Sequence, residues 1–305
     1  VILIVPTQVT PAVLTASSIP MPDASVGEIE WSSGPYATGT RRIMSSTRKL
    51  YEVVATPDTT DAPDVGAAKA VQTWIEVSSV NRYRAFDAVI DTRSTESASP
   101  LTIELSPVGL CNSISAFNLS GVDAVNVKVF DGVTEVYNND LDLTDDMLVI
   151  DEYTWFFSPI VFRTQFVLID LPAYNNPKIQ VTFSGAAAIG VGEIVIGNQQ
   201  PLGEALYGTS IETLDYSVYE TDDFGNRQVV RRRTADLVEF RIAVQKNRIN
   251  YVRNILKDVR GVNCVWFGEN AADDATLVYG FGRGSRIPIE TPTINEMIIT
   301  VQGLV

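Results

Sequence analysis

Side-chain chemistry needs nucleophiles, bases or metal ligands at workable spacing, and this chain is poor in the usual ones. It contains no histidine, which removes the commonest general base, the Ser-His and Cys-His pairs and the usual zinc ligand. Cys111 and Cys264 lie far apart in sequence. One bridge between them stays open, but two free, mostly buried thiols fit better than a disulfide scaffold. Gly280-Phe-Gly-Arg-Gly284 is glycine-rich and follows a strand-like run. A dinucleotide site would require a helix next, presenting its N-terminus to phosphate. Pro288 and Pro292 exclude that helix, so a loop is expected. There is no P-loop, Gly-x-Ser-x-Gly elbow or Cys-x-x-Cys. Arg231-Arg-Arg233 could grip phosphate or carboxylate. In an extended strand its members alternate faces, so pairing with the excess acids, within or between subunits, fits better.

Carboxylates crowd one stretch. Asp131, Glu135, Asp140, Asp142, Asp145, Asp146, Asp151 and Glu152 fall between Lys128 and Arg163 with no basic residue among them. Asp140-Leu-Asp-Leu-Thr-Asp-Asp146 lacks the glycine and the distal glutamate of an EF-hand loop. A solvated acidic loop is therefore expected rather than a calcium site, and no metal or cofactor is assigned. A glycosidase would need one carboxyl raised in pKa by burial and a partner kept ionised. Nothing in the sequence singles out two such groups, and no enzyme activity is expected. Tyr153-Thr-Trp-Phe-Phe157 follows the acids and reads as core or interface rather than a ligand box.

The residues that could bind something are aromatic: Trp31, Tyr36, Tyr51 and Trp74. Two readings compete. A unit of about fifty residues buries little surface, so large aromatics must supply its core. Alternatively, the four form a platform on which a sugar ring stacks. The spacing is compatible with both.

Composition narrows the partners. With 305 residues, 45% hydrophobic and 20% charged, the chain is long and apolar enough for two or three packed domains. A net charge of -14 argues against sequence-independent nucleic-acid binding, which needs a basic footprint, and against docking on anionic lipid. No apolar run is long enough to span a bilayer, so membrane insertion is not expected. Val1-Ile-Leu-Ile-Val5 is too short for a secretory signal and meets Pro6 at once.

The elements that must position these residues are mostly strands. Leu101-Thr-Ile-Glu-Leu105 alternates apolar and polar, the mark of a strand with one buried face. Asn126 to Phe130 and Val133 to Tyr137 flank Asp131-Gly132, a hairpin signal of type I′. Phe166 to Ile169, Ile179 to Phe183 and Glu193 to Gly197 add strands, with no amphipathic helix between them. The fold class is mainly β: a small aromatic β module, an antiparallel sandwich of jelly-roll type, and a C-terminal α+β domain with one clear helix. That helix runs from Arg248 to Arg260, with Ile249, Val252, Leu256 and Val259 on one face, Asn247 as N-cap and Gly261 at C′. Residues 1–27 carry one charge and four prolines, and read as an extended arm lying on its own sandwich or on a neighbouring subunit. A first strand of the same chain is the other reading. The expected units are then 1–27, 28–79, 80–198 and 199–305.

Several stretches resemble known modules. Trp31, Tyr36, the Tyr51 strand and Trp74 resemble the small chitin-binding modules. Asn81-Arg-Tyr-Arg-Ala-Phe-Asp87, the long hairpin and Ile189 to Gly197 resemble galactose-binding-like jelly rolls. Leu202-Gly203, Tyr207-Gly208, Asp215-Tyr-Ser217, Arg260-Gly261, Leu277-Val-Tyr-Gly280, Pro288, Pro292 and Gly303-Leu304 look like the C-terminal part of a family of tailed-bacteriophage tail proteins. That resemblance implies a virion structural protein in or at the tail, assembled in the bacterial cytoplasm. It implies several copies contacting one another and tube, hub or fibre proteins, and no catalysis. The sugar-binding kinship of the first two modules implies an alternative, an adhesion module that contacts a host surface glycan.

Overall fold

The computed structural model describes residues 1–55, 58–145, 150–221, 227–268, 274–289 and 291–304. Asp146 of the acidic stretch, part of the Thr56–Asp64 loop and the expected turn at Asp223–Asn226 lie outside the described residues.

The chain is mainly β. It opens with β1 (Ile2–Pro6) and β2 (Leu14–Ser17). The small aromatic unit holds β3 (Arg41–Met44), β4 (Lys49–Val53), α1 (Pro63–Ala67) and β5 (Trp74–Ser79). A 3-10 turn over Asn81–Phe86 leads to β6 (Ser94–Glu96), β7 (Leu101–Leu105), β8 (Ser113–Phe117) and the hairpin β9 (Ala124–Asp131) and β10 (Thr134–Asp142). Next come β11 (Thr144–Asp145), α2 (Glu152–Phe157), β12 (Val161–Phe162), β13 (Phe166–Leu168) and β14 (Lys178–Ser184). They are followed by β15 (Ile189–Val191) and β16 (Glu193–Pro201). The last third holds β17 (Glu204–Ala205), β18 (Ser210–Asp215), β19 (Val218–Thr221), β20 (Arg227–Val230) and β21 (Thr234–Gln245). It ends with α3 (Ile249–Asp258), β22 (Cys264–Phe267), β23 (Val278–Arg286) and β24 (Ile294–Gly303).

One sheet of ten strands runs through most of the molecule, in the order β13-β8-β16-β1-β22-β23-β24-β21-β17, with β18 also on β21. A second sheet, β10-β9-β14-β7-β2, packs on the β13-β8-β16 end and closes a sandwich. Its strands alternate as the sequence suggests. Leu101, Ile103 and Leu105 point inward and meet Ile114, Ile194 and Ile196 from the large sheet. The hairpin turn is shifted by one residue from the expected Asp131-Gly132. Asp131 pairs with Thr134, so Gly132 and Val133 are the central pair. Gly132 has φ +61 and Val133 is not in the left-handed region, the pattern of a II′ rather than a I′ turn.

Residues 1–27 are not an arm. β1 lies between β16 and β22, antiparallel to both: Ile2–Pro6 pair with Pro201–Gly197, and Ile2–Ile4 pair with Phe267–Val265. Its side chains alternate between two cores. Leu3 packs with Trp266 and Val238 on one face, Ile4 with Val195 and Phe267 on the other, and both are fully buried. A strand buried on both faces reads as an unbroken apolar run, which is why Val1 to Val5 shows no alternation. Gly197 lets β1 approach. A Cβ there would stand 2.0 Å from the Val5 carbonyl oxygen. Further on, β2 joins the second sheet beside β7.

The boundary expected at 198/199 falls inside β16, whose first half pairs with β8 and whose second half pairs with β1. The sandwich and the C-terminal strands therefore share one sheet instead of forming separate units. Gly280 to Gly284 is part of β23, not a loop. The backbones close up there: a Cβ at Gly280 would meet the Gln302 carbonyl oxygen at 2.0 Å. The clear helix is α3, with Val252 and Val259 buried and Ile249 and Leu256 packed beside them. Asn247 is not its cap, since it sits inside a 3-10 turn over Lys246–Arg248. Gly261, at φ +72, falls one position beyond the expected C′, because the helix ends at Asp258 with Val259 as C-cap and Arg260 at C′.

If β1 holds the two halves together, truncating either face of it destabilises both. Leu3→Ala and Ile4→Ala are each expected to lower unfolding free energy by about 2–5 kcal/mol. Denaturant titration should keep a single transition at a lower midpoint. Loss of less than about 1 kcal/mol from both would contradict the central position of β1.

Candidate functional site

The four aromatic candidates do come together, as a core. Trp74 is 0% and Tyr51 4% exposed, with Trp31 and Tyr36 half-buried against them. The Tyr36 and Trp74 rings meet edge-on at 5.5 Å, and the Arg42 guanidinium lies 5.1 Å over the Tyr36 ring. Trp74 Nε1 donates to the Asp61 carbonyl at 3.0 Å, while the Asp61 carboxylate takes Thr73 Oγ1 at 2.8 Å and Lys69 at 2.6 Å. α1 lies on the Trp74 ring, where a Cβ at Gly66 would stand 2.4 Å from Cδ1. A three-stranded sheet of this size fills its interior with these rings. Tyr51 and Trp74 therefore have no face on which a sugar could stack, and Trp31 and Tyr36 present only part of one.

The exposed aromatics are elsewhere. Asp151 caps α2, its carboxylate accepting from Thr154 N at 2.7 Å while Thr154 Oγ1 receives the Asp151 N–H at 3.0 Å. This reciprocal box closes a six-residue helix that the sequence reading did not expect. Tyr153 (70%), Trp155 (66%), Phe156 (72%) and Phe157 (72%) all face solvent. They are not core: α2 lies in the connection between the paired strands β11 and β12, and none of the described residues covers these rings. Tyr153 and Phe157, one turn apart, touch at 4.7 Å; Trp155 and Phe156 meet edge-on at 4.8 Å. Ile150, Ile160 and Phe162, close by in sequence, are exposed as well. Monomeric soluble proteins rarely leave that much contiguous apolar surface in water.

A third cluster was missed altogether. Glu193 is 4% exposed at the start of β16. It lines a cleft of about 440 Å³ whose walls include Gln8, Asp87, Asn263 and Tyr279. The Ala88 N–H donates to its Oε2 at 3.1 Å and the Tyr279 hydroxyl to its Oε1 at 3.5 Å. Burial, then the nearby Asp87 charge, push its carboxyl up to about 9. Burial also raises Asp87, against hydrogen bonds from Val89 N and Thr92. Burial and Glu193 together raise Tyr279. The Asp87 charge is itself one of the causes that raise Glu193, so the two carboxyls are coupled across the cleft. The one signal for Glu193 in the sequence is a lone carboxylate inside the apolar run Ile189 to Ile196.

Both cysteines are free and buried, and burial pushes their thiols up to about 11 (Cys111) and about 12 (Cys264), so neither is a ready nucleophile. Among the described residues no three carboxylates or thiols converge as a metal site. Among the described residues no helix is long and apolar enough to cross a membrane. Arg231–Arg233 is a connection between β20 and β21, not a strand, and Arg233 pairs with Asp91. Comparison with protein families, with curated proteins and with solved structures finds no match for this chain.

The raised carboxyl at Glu193 carries a sign. Its folded pKa, about 9, lies above the ordinary 4.5. Its effect on stability is therefore most favourable below about pH 4.5 and is lost as pH rises toward 9. E193Q keeps the neutral form at every pH. Its stability relative to the parent is expected to rise between pH 5 and 9, by at most about 1.4 kcal/mol per unit. Parallel pH profiles for the two proteins would contradict the burial of this charge.

Proposed function

We propose that the chain is a multi-copy structural component of a bacteriophage tail, joining tube, hub or fibre proteins, and that it acts by binding rather than by turnover. The observation that carries this reading is the α2 ridge: four aromatics about two-thirds exposed on a stable β scaffold. Burying such a ridge against a neighbour is favourable in proportion to the apolar area removed from water. The buried thiols, raised by burial, suit a scaffold. The likeness of the C-terminal residues to tail proteins supplies the setting. An adhesion role through Trp31, Tyr36, Tyr51 and Trp74 draws less support, because two of the four are core.

Immunogold labelling, with an antibody to this chain, of virions purified from cells that produce it tests the reading. Several gold particles per tail are expected. Absence of the chain from purified particles would overturn it. In the same assembly, Trp155→Ser with Phe157→Ser is expected to cut incorporation at least tenfold while leaving the thermal transition of the free protein within a few degrees.

A further inference from the structure

Two elements of this chain stand outside its cores, and they are complementary. The first is the α2 ridge. A helix of this length is unstable without packing. At 100° per residue Tyr153, Phe156 and Phe157 share one side and Trp155 lies nearly opposite, so the side with three rings, each of 150–250 Å² and about two-thirds exposed, leaves on the order of 400 Å² of apolar surface open. Its N-terminal end is acidic: Asp151 and Glu152 are exposed, Asp142 is exposed with Arg163 close by, and between Lys128 and Arg163 the sequence has no basic residue.

The second is the β19–β20 hairpin. These strands pair only with each other, as a two-stranded sheet. An isolated two-stranded hairpin is marginal in water without a hydrophobic face to pack. Tyr219 (65%), Val229 (49%) and Val230 (46%) are exposed on it, and Arg227, Arg231 and Arg232 are exposed beside them. Arg233 at its base is already held by Asp91. Among the described residues no carboxylate pairs with Arg231 or Arg232. Arg231 and Arg232 follow β20 directly, so they lie at the end of the hairpin nearest β21.

We propose that the α2 ridge of one copy docks on the β19–β20 hairpin of a second copy of this chain. The proposal rests on the multi-copy reading above and names its contact. The aromatics pack on the hairpin face that carries Tyr219 and Val229, which pair directly across the two strands, and buried aromatic contacts of this kind concentrate binding energy. Arg231 and Arg232 meet the acidic end and set orientation and encounter rate. Because the two patches differ, the contact is of the heterologous kind, which builds rings or larger arrays when repeated.

Sedimentation velocity of the full-length chain over a concentration series provides the test. The parent is expected to self-associate, more weakly as salt is raised. Trp155→Ser with Phe157→Ser removes the ridge and leaves the hairpin. Arg231→Glu with Arg232→Glu does the reverse. Each variant alone is expected to stay monomeric where the parent associates, and an equimolar mixture to form a 1:1 dimer and nothing larger. Association of the arginine variant at parental strength would overturn the pairing, since the ridge would then meet another surface, while the multi-copy reading stands. A mixture that stays monomeric overturns it too. So does a parent that is monomeric throughout, and virion labelling then decides the broader reading by itself. If the serine variant loses its native circular dichroism, Asp142→Lys with Glu152→Lys takes its place in the same mixing experiment, with the same outcomes required.

Discussion

The structure depends on one run of backbone pairing. β1 gives its amides and carbonyls to β16 on one side and to β22 on the other. Without it, β16 and β22 would each present an open edge in the middle of the molecule, and buried backbone polar groups without partners are costly. The same five residues also close two cores. Leu3 completes the one that holds α3, and Ile4 completes the one beneath Phe117 and Tyr279. A segment so short can do this because every position faces a core, with no residue spent on a solvent face.

Polar contacts around that seam are few and well satisfied. The N-terminal segment is latched to the sandwich by Asn81, which is fully buried and donates to Asp23 Oδ2 at 2.6 Å and to the Thr95 carbonyl at 2.7 Å. Glu28 receives the Asn81 and Asp23 amides at 2.6 and 3.0 Å. Such a network fixes position more than it stabilises, because each group gives up water to join it. Glu193 lines a cleft beside Pro6, Phe86 and Asp87, where the start of β16 meets Tyr279. Rigidity is thus concentrated where the halves join, and the elements free to meet a partner, α2 and the β19–β20 hairpin, project from the periphery.

What the sequence made legible follows from which signals survive without knowledge of neighbours. Leu101 to Leu105 could be read because alternation needs only one buried face, and α3 because Ile249, Val252, Leu256 and Val259 repeat at helical spacing. β1 could not be read as a central strand, since a continuous apolar run carries no phase and looks the same on an arm. The glycines of β23 imitate a loop because close backbone approach and flexibility select the same residue. The α2 helix escaped because its aromatics surround it, leaving no polar face to reveal a period, and its box uses Thr154 in place of glutamate or glutamine. Trp74 and Trp155 have the same composition and opposite fates, one core and one surface, which only tertiary context decides.

The central claim is that β1 is an integral strand and opens only when the whole sheet does. Native-state hydrogen exchange reads this directly. The β1 amides that face β16 and β22 are expected to exchange with the same free energy as the β16 and β22 amides, equal to the global unfolding value. Exchange of β1 several kcal/mol easier than that of its two neighbours would show a detachable segment and contradict the account.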